Sequence, residues 1–173
     1  MPSVSKHEAV LEGLKNGTHR TLGVSVGLHQ VTPGLQIPKG DTQPTPTLSA
    51  PSDLPPGPYT VIALDLDAPF VSWNVMSPIA HWIQTGLHVK QLGQALESDE
   101  PAMGPWAAAG PPPGAAPHRY VFFLYSQKPD SSPPPNLTGK PMGLGQRMRF
   151  DTEAIVKQLG LGEIVAANYF VSN

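Results

Sequence analysis

His118-Arg119-Tyr120-Val121-Phe122-Phe123-Leu124-Tyr125 carries six apolar or aromatic residues in a row behind an imidazole and a guanidinium. A run this short, rich in aromatic and branched side chains, reads as a buried β-strand. Immediately upstream, Ala109-Gly-Pro-Pro-Pro-Gly114 is a proline-stiffened loop. Glycines flanking the prolines let the backbone come close to a ligand while the prolines hold its shape, so the Gly110 and Gly114 amides are candidate anion donors. The loop therefore delivers His118 and Arg119 to the mouth of a buried strand.

Working outward, the other segments also read mainly as strands. Leu22 to Leu28, Tyr59 to Asp67, Ala80 to Leu87 and Ile164 to Val171 are short apolar or alternating runs. Two helices have start and stop signals. Ser5 and Glu8 form a capping box before Val10, Leu11 and Leu14, and Asn16-Gly17 stops that helix. Asp151 is a good N-cap, Phe150 and Ile155 are placed as a hydrophobic staple, and Gly160 ends the second helix. The connections Pro51 to Pro58, Pro101 to Pro117 and Pro129 to Pro141 are too long for hairpins, and such loops in a compact domain are usually functional. The expectation is one mostly-β domain over residues 1–173 with two peripheral helices.

Composition narrows the function. Only 14% of the 173 residues are charged and the net charge is −2, so no broad basic face invites nucleic acid. The absence of cysteine excludes disulfides, thiol catalysis and thiolate-bound zinc. No run reaches the ~18 apolar residues of a membrane span, and Met1 to Glu8 lacks the apolar core of a secretory signal. A cytoplasmic protein is expected. There is no G-x-S-x-G around Ser72, Ser77 or Ser126, no P-loop and no G-x-G-x-x-G, so serine hydrolysis and nucleotide chemistry lack a fingerprint.

Asp65 and Asp67 stand two apart at the end of a strand, on one face and about 7 Å apart. Two such carboxylates need a cation, hydrogen-bond donors or a shared proton. Asp67 is read as the partner of Arg119, and Asp65 as a pocket residue. Pro69 follows Ala68 where the chain leaves the strand, a place suited to a cis bond. His81 precedes an apolar strand as His118 does. Two imidazoles near one carboxylate admit an anion site, a metal site or acid–base work. The candidates lie on three separate segments, so their spacing does not call for a metal, and no cofactor is expected. Tyr120 offers a phenol. Phe70, Trp73, Met103 and Trp106 are candidates for the pocket rim, Trp82 for the core, and His7, His19, His29 and His88 for the surface.

Taken together, Asp65-Leu-Asp-Ala-Pro69, His81, the Gly110-Pro111-Pro112 turn and His118-Arg119 resemble the phosphatidylethanolamine-binding protein family. Leu159-Gly-Leu-Gly162 and Val165-Ala-Ala-Asn168 look like that family's late helix and closing strand, and the likeness, nearest to fungal members, runs from about Gly34 onward. The resemblance implies two packed antiparallel sheets with a small pocket at one end. Asp65, His81, Gly110, Pro111, His118 and Tyr120 would line it and accept a phosphate, an acetate or a phospholipid head group. Asp67, Pro69 and Arg119 would be structural. Family roles in binding and regulation imply a protein partner such as a protease or a kinase. A protease inhibitor would insert its N-terminal segment.

This chain departs from the pattern at Leu66, where the family has proline, at Phe70-Val71, where it has Ser-Arg, and at Ala116, where it has glycine. The family's covering C-terminal helix is not expected after Asn173. A more open and apolar pocket follows, so a fungal metabolite is an alternative ligand. Were the protein an enzyme acting on one, Asp65 and His118 would handle protons, Tyr120 or His81 would stabilise an enolate or oxyanion, and Phe70, Val71, Met103 and Trp106 would shape the substrate.

Overall fold

The computed structural model describes residues 5–90, 94–131, 133 and 141–173. Nine strands run β1 Gly23–Val26, β2 His29–Gln30, β3 Leu35–Gln36, β4 Thr47–Ser49, β5 Tyr59–Asp65, β6 Ile79–Val89, β7 Ala95–Glu97, β8 His118–Ser126 and β9 Ile164–Ser172. Helices α1 Ser5–Lys15, α2 Leu144–Arg147 and α3 Thr152–Gln158 complete the element list, with one 3-10 turn at Lys39–Thr42. The fold is mostly β, as expected. The short strands β2, β3, β4 and β7 and the helix α2 were not legible, because two to four residues are too few to show a period.

Hydrogen bonds join all nine strands in the order β2-β1-β4-β7-β6-β5-β8-β9-β3. Where two sheets are expected, this is one continuous, curled, open sheet. The join is β6: it pairs with β5 as far as Leu87 and then with β7 through His88 and Val89. Gly86, at a φ of 66°, lies where the β5–β6 register slips, a bulge of the kind that bends a strand. The sheet is not wholly antiparallel either, since β3 runs parallel to β9.

Period-two alternation sorts the central strands onto two cores. Val61, Ala63, Tyr120, Phe122, Leu124, Ala166 and Phe170 face one way, packed with Leu22, Val24 and Val26 around β1, Leu48 on β4 and Leu96 on β7. The sheet thus curls until its own outer strands cover its centre. Ile62, Leu64, Val121, Phe123, Tyr125, Ala167 and Tyr169 face the other way, under Val10, Leu11 and Leu14 of α1, Ile155 of α3 and Leu159 at its C-terminal cap. Buried Asn168 ties the layers, donating from Nδ2 to the Leu22 and Val31 carbonyls at 2.8 and 2.9 Å.

Local signals act as the residue types require. The Asp151 carboxylate accepts from the Ala154 amide at 3.0 Å and caps α3, and Gly160 at φ 60° follows its end. Gly17 takes φ 74° after α1. At α1 the Glu8 carboxylate reaches Arg119, at 3.2 and 3.3 Å, and the Ser5 side chain, the other half of the expected capping box, lies outside the described residues. Most of the Pro129–Pro141 connection also lies outside them.

Candidate functional site

Three segments meet at the end of the sheet where β5 stops and β8 starts. Asp65 closes β5 and pairs across the ladder with Tyr120, which puts its side chain beside the first residues of β8. His118, 1% exposed, places Nδ1 2.9 Å from Asp65 Oδ2 and Nε2 3.1 Å from the Pro69 carbonyl. Both partners accept, so the ring satisfies both bonds only when each nitrogen carries a proton. Asp65 Oδ1 takes the Asp67 amide at 2.8 Å. His118 and Asp65 thus form a closed pair, and His118 has no ring nitrogen left for a ligand.

His81 is arranged differently. Nδ1 lies 2.7 Å from the Ala107 carbonyl and donates to it, which leaves Nε2 of the neutral ring as an acceptor. Burial lowers the pKa of this imidazole; the Ala107 bond and the Asp65 charge pull the other way, and the Arg147 and His118 charges lower it further. The Tyr120 ring stands edge-on to it at 5.0 Å. The Tyr120 hydroxyl is buried, with the Asp65 carboxylate and the Gly110 amide as neighbours but no hydrogen bond among the described residues. Burial first, and the Asp65 charge second, hold the phenol above its ordinary pKa. It remains a neutral donor.

Asp67 and Arg119 belong to a separate network. Arg119 donates from Nε and Nη2 to the two Asp67 oxygens at 2.9 and 2.8 Å, and its backbone amide adds a third bond at 2.8 Å. The Asp67 side chain is almost wholly buried, so this fork locks the strand end, and Glu8 joins α1 to it. The Arg119 pKa is raised above its ordinary value, chiefly by the Asp67 hydrogen bonds. The two carboxylates therefore take separate partners, Asp65 the His118 ring and Asp67 the Arg119 guanidinium. The Ala68–Pro69 bond is cis, as is Ser77–Pro78.

A cavity of about 370 Å³ opens here, near the lower end of the usual range for ligand sites. Asp65, His81, His118 and Arg147 supply its polar wall, and Pro69, Met76, Ile79, Pro112 and Leu144 much of the apolar remainder. Ala108 and Gly110 also line it; among the described residues neither amide bonds a backbone carbonyl, and Gly110 lies beside the Tyr120 hydroxyl.

Several expected members stand elsewhere. Met103 is buried in the core against Ile83, because its strand-like segment pairs with β6 through Gly104. Trp106 packs on Phe122 and donates from Nε1 to the Thr42 carbonyl, behind His81 and away from the cavity. Pro112 lines the cavity where Pro111 is expected. Phe70 and Trp73 pair with each other in the turn after Pro69, 39% and 61% exposed, and do not line the cavity. His7, expected at the surface, is 4% exposed and stacks on Phe123 at 4.4 Å. Trp82 is core, as expected.

Sequence reasoning missed Arg147 and Ala108. The one signal for Arg147 was two arginines alternating with apolar residues in Arg147-Met-Arg-Phe150, just before the Asp151 cap.

The chain matches the phosphatidylethanolamine-binding protein family over residues 28–170. It belongs to that family. Among solved structures, a phosphatidylethanolamine-binding protein from Plasmodium vivax superposes with a TM-score of 0.72 at 20% identity, covering 95% of this chain and 97% of that one. A carboxypeptidase Y inhibitor, solved with its cognate proteinase, gives 0.67 at 21% identity over 96% and 95%. Likenesses this distant show the family fold. A Talaromyces stipitatus protein named phomoidride biosynthesis cluster protein N is 34% identical over 121 residues, 66% of this chain. The chain spans 58% of that relative's length. Among the described residues, no helix is long and apolar enough to cross a membrane.

Proposed function

We propose that this family member is a binding protein whose pocket takes a small anionic ligand, with a carboxylate on an apolar body fitting better than a phospholipid head group. The observation that carries this reading is that Ala108 and Gly110, whose amides bond no backbone carbonyl among the described residues, line the same cavity as His81 and Arg147. Backbone amides in a loop of this kind can hold an anion. The apolar wall of Pro69, Met76, Ile79 and Leu144 would cover a carbon skeleton and offers nothing to an ammonium head group. Calorimetric titration with phosphate, acetate and phosphoethanolamine tests the reading. Saturable binding of at least one of them supports it, and heat of dilution alone for all three contradicts it.

A second reading, an enzyme acting on a fungal metabolite, is favoured by the neutral Tyr120 phenol beside Asp65. A neutral phenol can stabilise an enolate. The Talaromyces relative's name supports it. Mass spectrometry of a bound metabolite after long incubation separates the readings: unchanged ligand supports binding alone, and a product lost in Asp65→Asn supports the enzyme. A protease-inhibitor role would rest on the first residues, of which 1–4 lie outside the described structure.

A further inference from the structure

Arg147 is buried, 8% exposed, at the end of α2. It donates from Nε to the Met142 carbonyl at 3.2 Å, from Nη1 to Ala80 and His81 at 3.1 and 3.2 Å, and from Nη2 to Pro105 at 2.8 Å. Every one of these acceptors is a neutral carbonyl. No carboxylate comes within salt-bridge distance among the described residues, whereas Arg20 pairs with Asp53 and Arg119 with Asp67. A guanidinium carries five N–H groups, so one on Nη2 is left over. Burial lowers the Arg147 pKa, but from so high a starting value that the group stays charged.

Among the described residues, no carboxylate at the cavity pairs with Arg147. Asp65 accepts from the His118 ring and from the Asp67 amide. His81 is neutral, and its free Nε2 is an acceptor that repels an anion. Asp67, Arg119 and Glu8 form their own network. Arg147 lines the cavity with no carboxylate bonded to it among the described residues. An uncompensated buried charge is costly, and a bound anion relieves that cost.

We propose that Arg147 is the charge-selecting residue of this pocket, and that the ligand it selects is a monocarboxylate with an apolar body. This rests on the binding reading above and deepens it by naming the group that reads the charge. Because the tie to four carbonyls holds the guanidinium in place, its selection acts without rearrangement. A zwitterion such as phosphoethanolamine brings an ammonium group into the same field and is disfavoured.

The test is calorimetry with benzoate and its neutral isostere benzamide on the wild type, Arg147→Gln and Arg147→Lys. The wild type should bind benzoate at least tenfold tighter than benzamide. Arg147→Gln, which keeps side-chain donors without charge, should bring the two affinities within about twofold, and Arg147→Lys should keep most of the preference. A benzoate preference that survives in folded Arg147→Gln overturns the proposal. If Arg147→Gln does not fold, Arg147→Lys decides, and a preference lost there overturns it. A parallel NMR titration needs no ligand: the His81 imidazole pKa should rise in Arg147→Gln. If neither compound binds the wild type, the pocket reading fails and the selection proposal falls with it; a His81 pKa that then still rises shows that the Arg147 field is real and the ligand class wrong.

Discussion

His118 spends both ring nitrogens inside the protein and His81 spends one, and that difference sets which residue meets a ligand. The sequence treats the two histidines alike because each precedes a strand; what separates them is the Pro69 carbonyl, delivered by a turn no spacing rule reveals. Asp65→Asn leaves the buried His118 ring without its carboxylate partner, and losing a buried hydrogen bond to a charged group costs about 2 kcal/mol. Urea denaturation should show that loss, with an unchanged slope. His118→Ala should act first on stability and only through it on affinity, while His81→Ala should act on affinity with a smaller stability change. Equal effects from the two substitutions would contradict this division of roles.

At the scale of elements, α1 is held by more than its apolar stripe. Its His7 is buried on Phe123, with Nε2 3.5 Å from the Tyr125 hydroxyl, and burial, followed by the Lys6 charge, lowers its pKa from 6.5 to about 4. The unfolded chain therefore takes up this proton before the folded one does. The stabilisation is complete above about pH 6.5 and is lost as pH falls towards 4, on the order of 3 kcal/mol for a shift of this size. His7→Phe should flatten that part of a stability–pH profile; an unchanged profile would remove His7 as its cause. At α3, Asp151→Ala removes the cap on Ala154 and should cost about 1 kcal/mol by thermal melting.

Those two helices, the four long strands and the apolar run around β1 were legible because each shows either a cap or a clear pattern. The elements that were not are the strands β2, β3, β4 and β7, held by pairing and not by pattern, and the four-residue helix α2, too short to show a period. The same reason hid Arg147. It sits on the four-residue α2, and its role depends on carbonyls contributed by residues 80, 81, 105 and 142. Met103 and Trp106 were misplaced because a proline-rich segment gives no face to reason from, and it is the Gly104–Ile83 bridge that sets which way their side chains point.

For the whole molecule, the curl of the sheet brings its outer strands over the central core, and Gly86 is where that bend is made. Its φ of 66° disfavours any side chain, and a Cβ there would stand 2.6 Å from the Glu100 carboxyl carbon. Gly86→Ala should therefore cost on the order of 2 kcal/mol, read as a lower melting temperature with the pocket chemistry intact. The central claim is that the cavity at the end of β5 and β8 is a carboxylate site. Its most direct test is an NMR titration of the wild type with benzoate, following backbone amides and imidazole rings together. The account predicts saturable shifts at the Ala108 and Gly110 amides and at the His81 ring, with His7 on the far face unmoved. Saturation that moves His7 and leaves Ala108, Gly110 and His81 still, or no saturable shift at all, would contradict it.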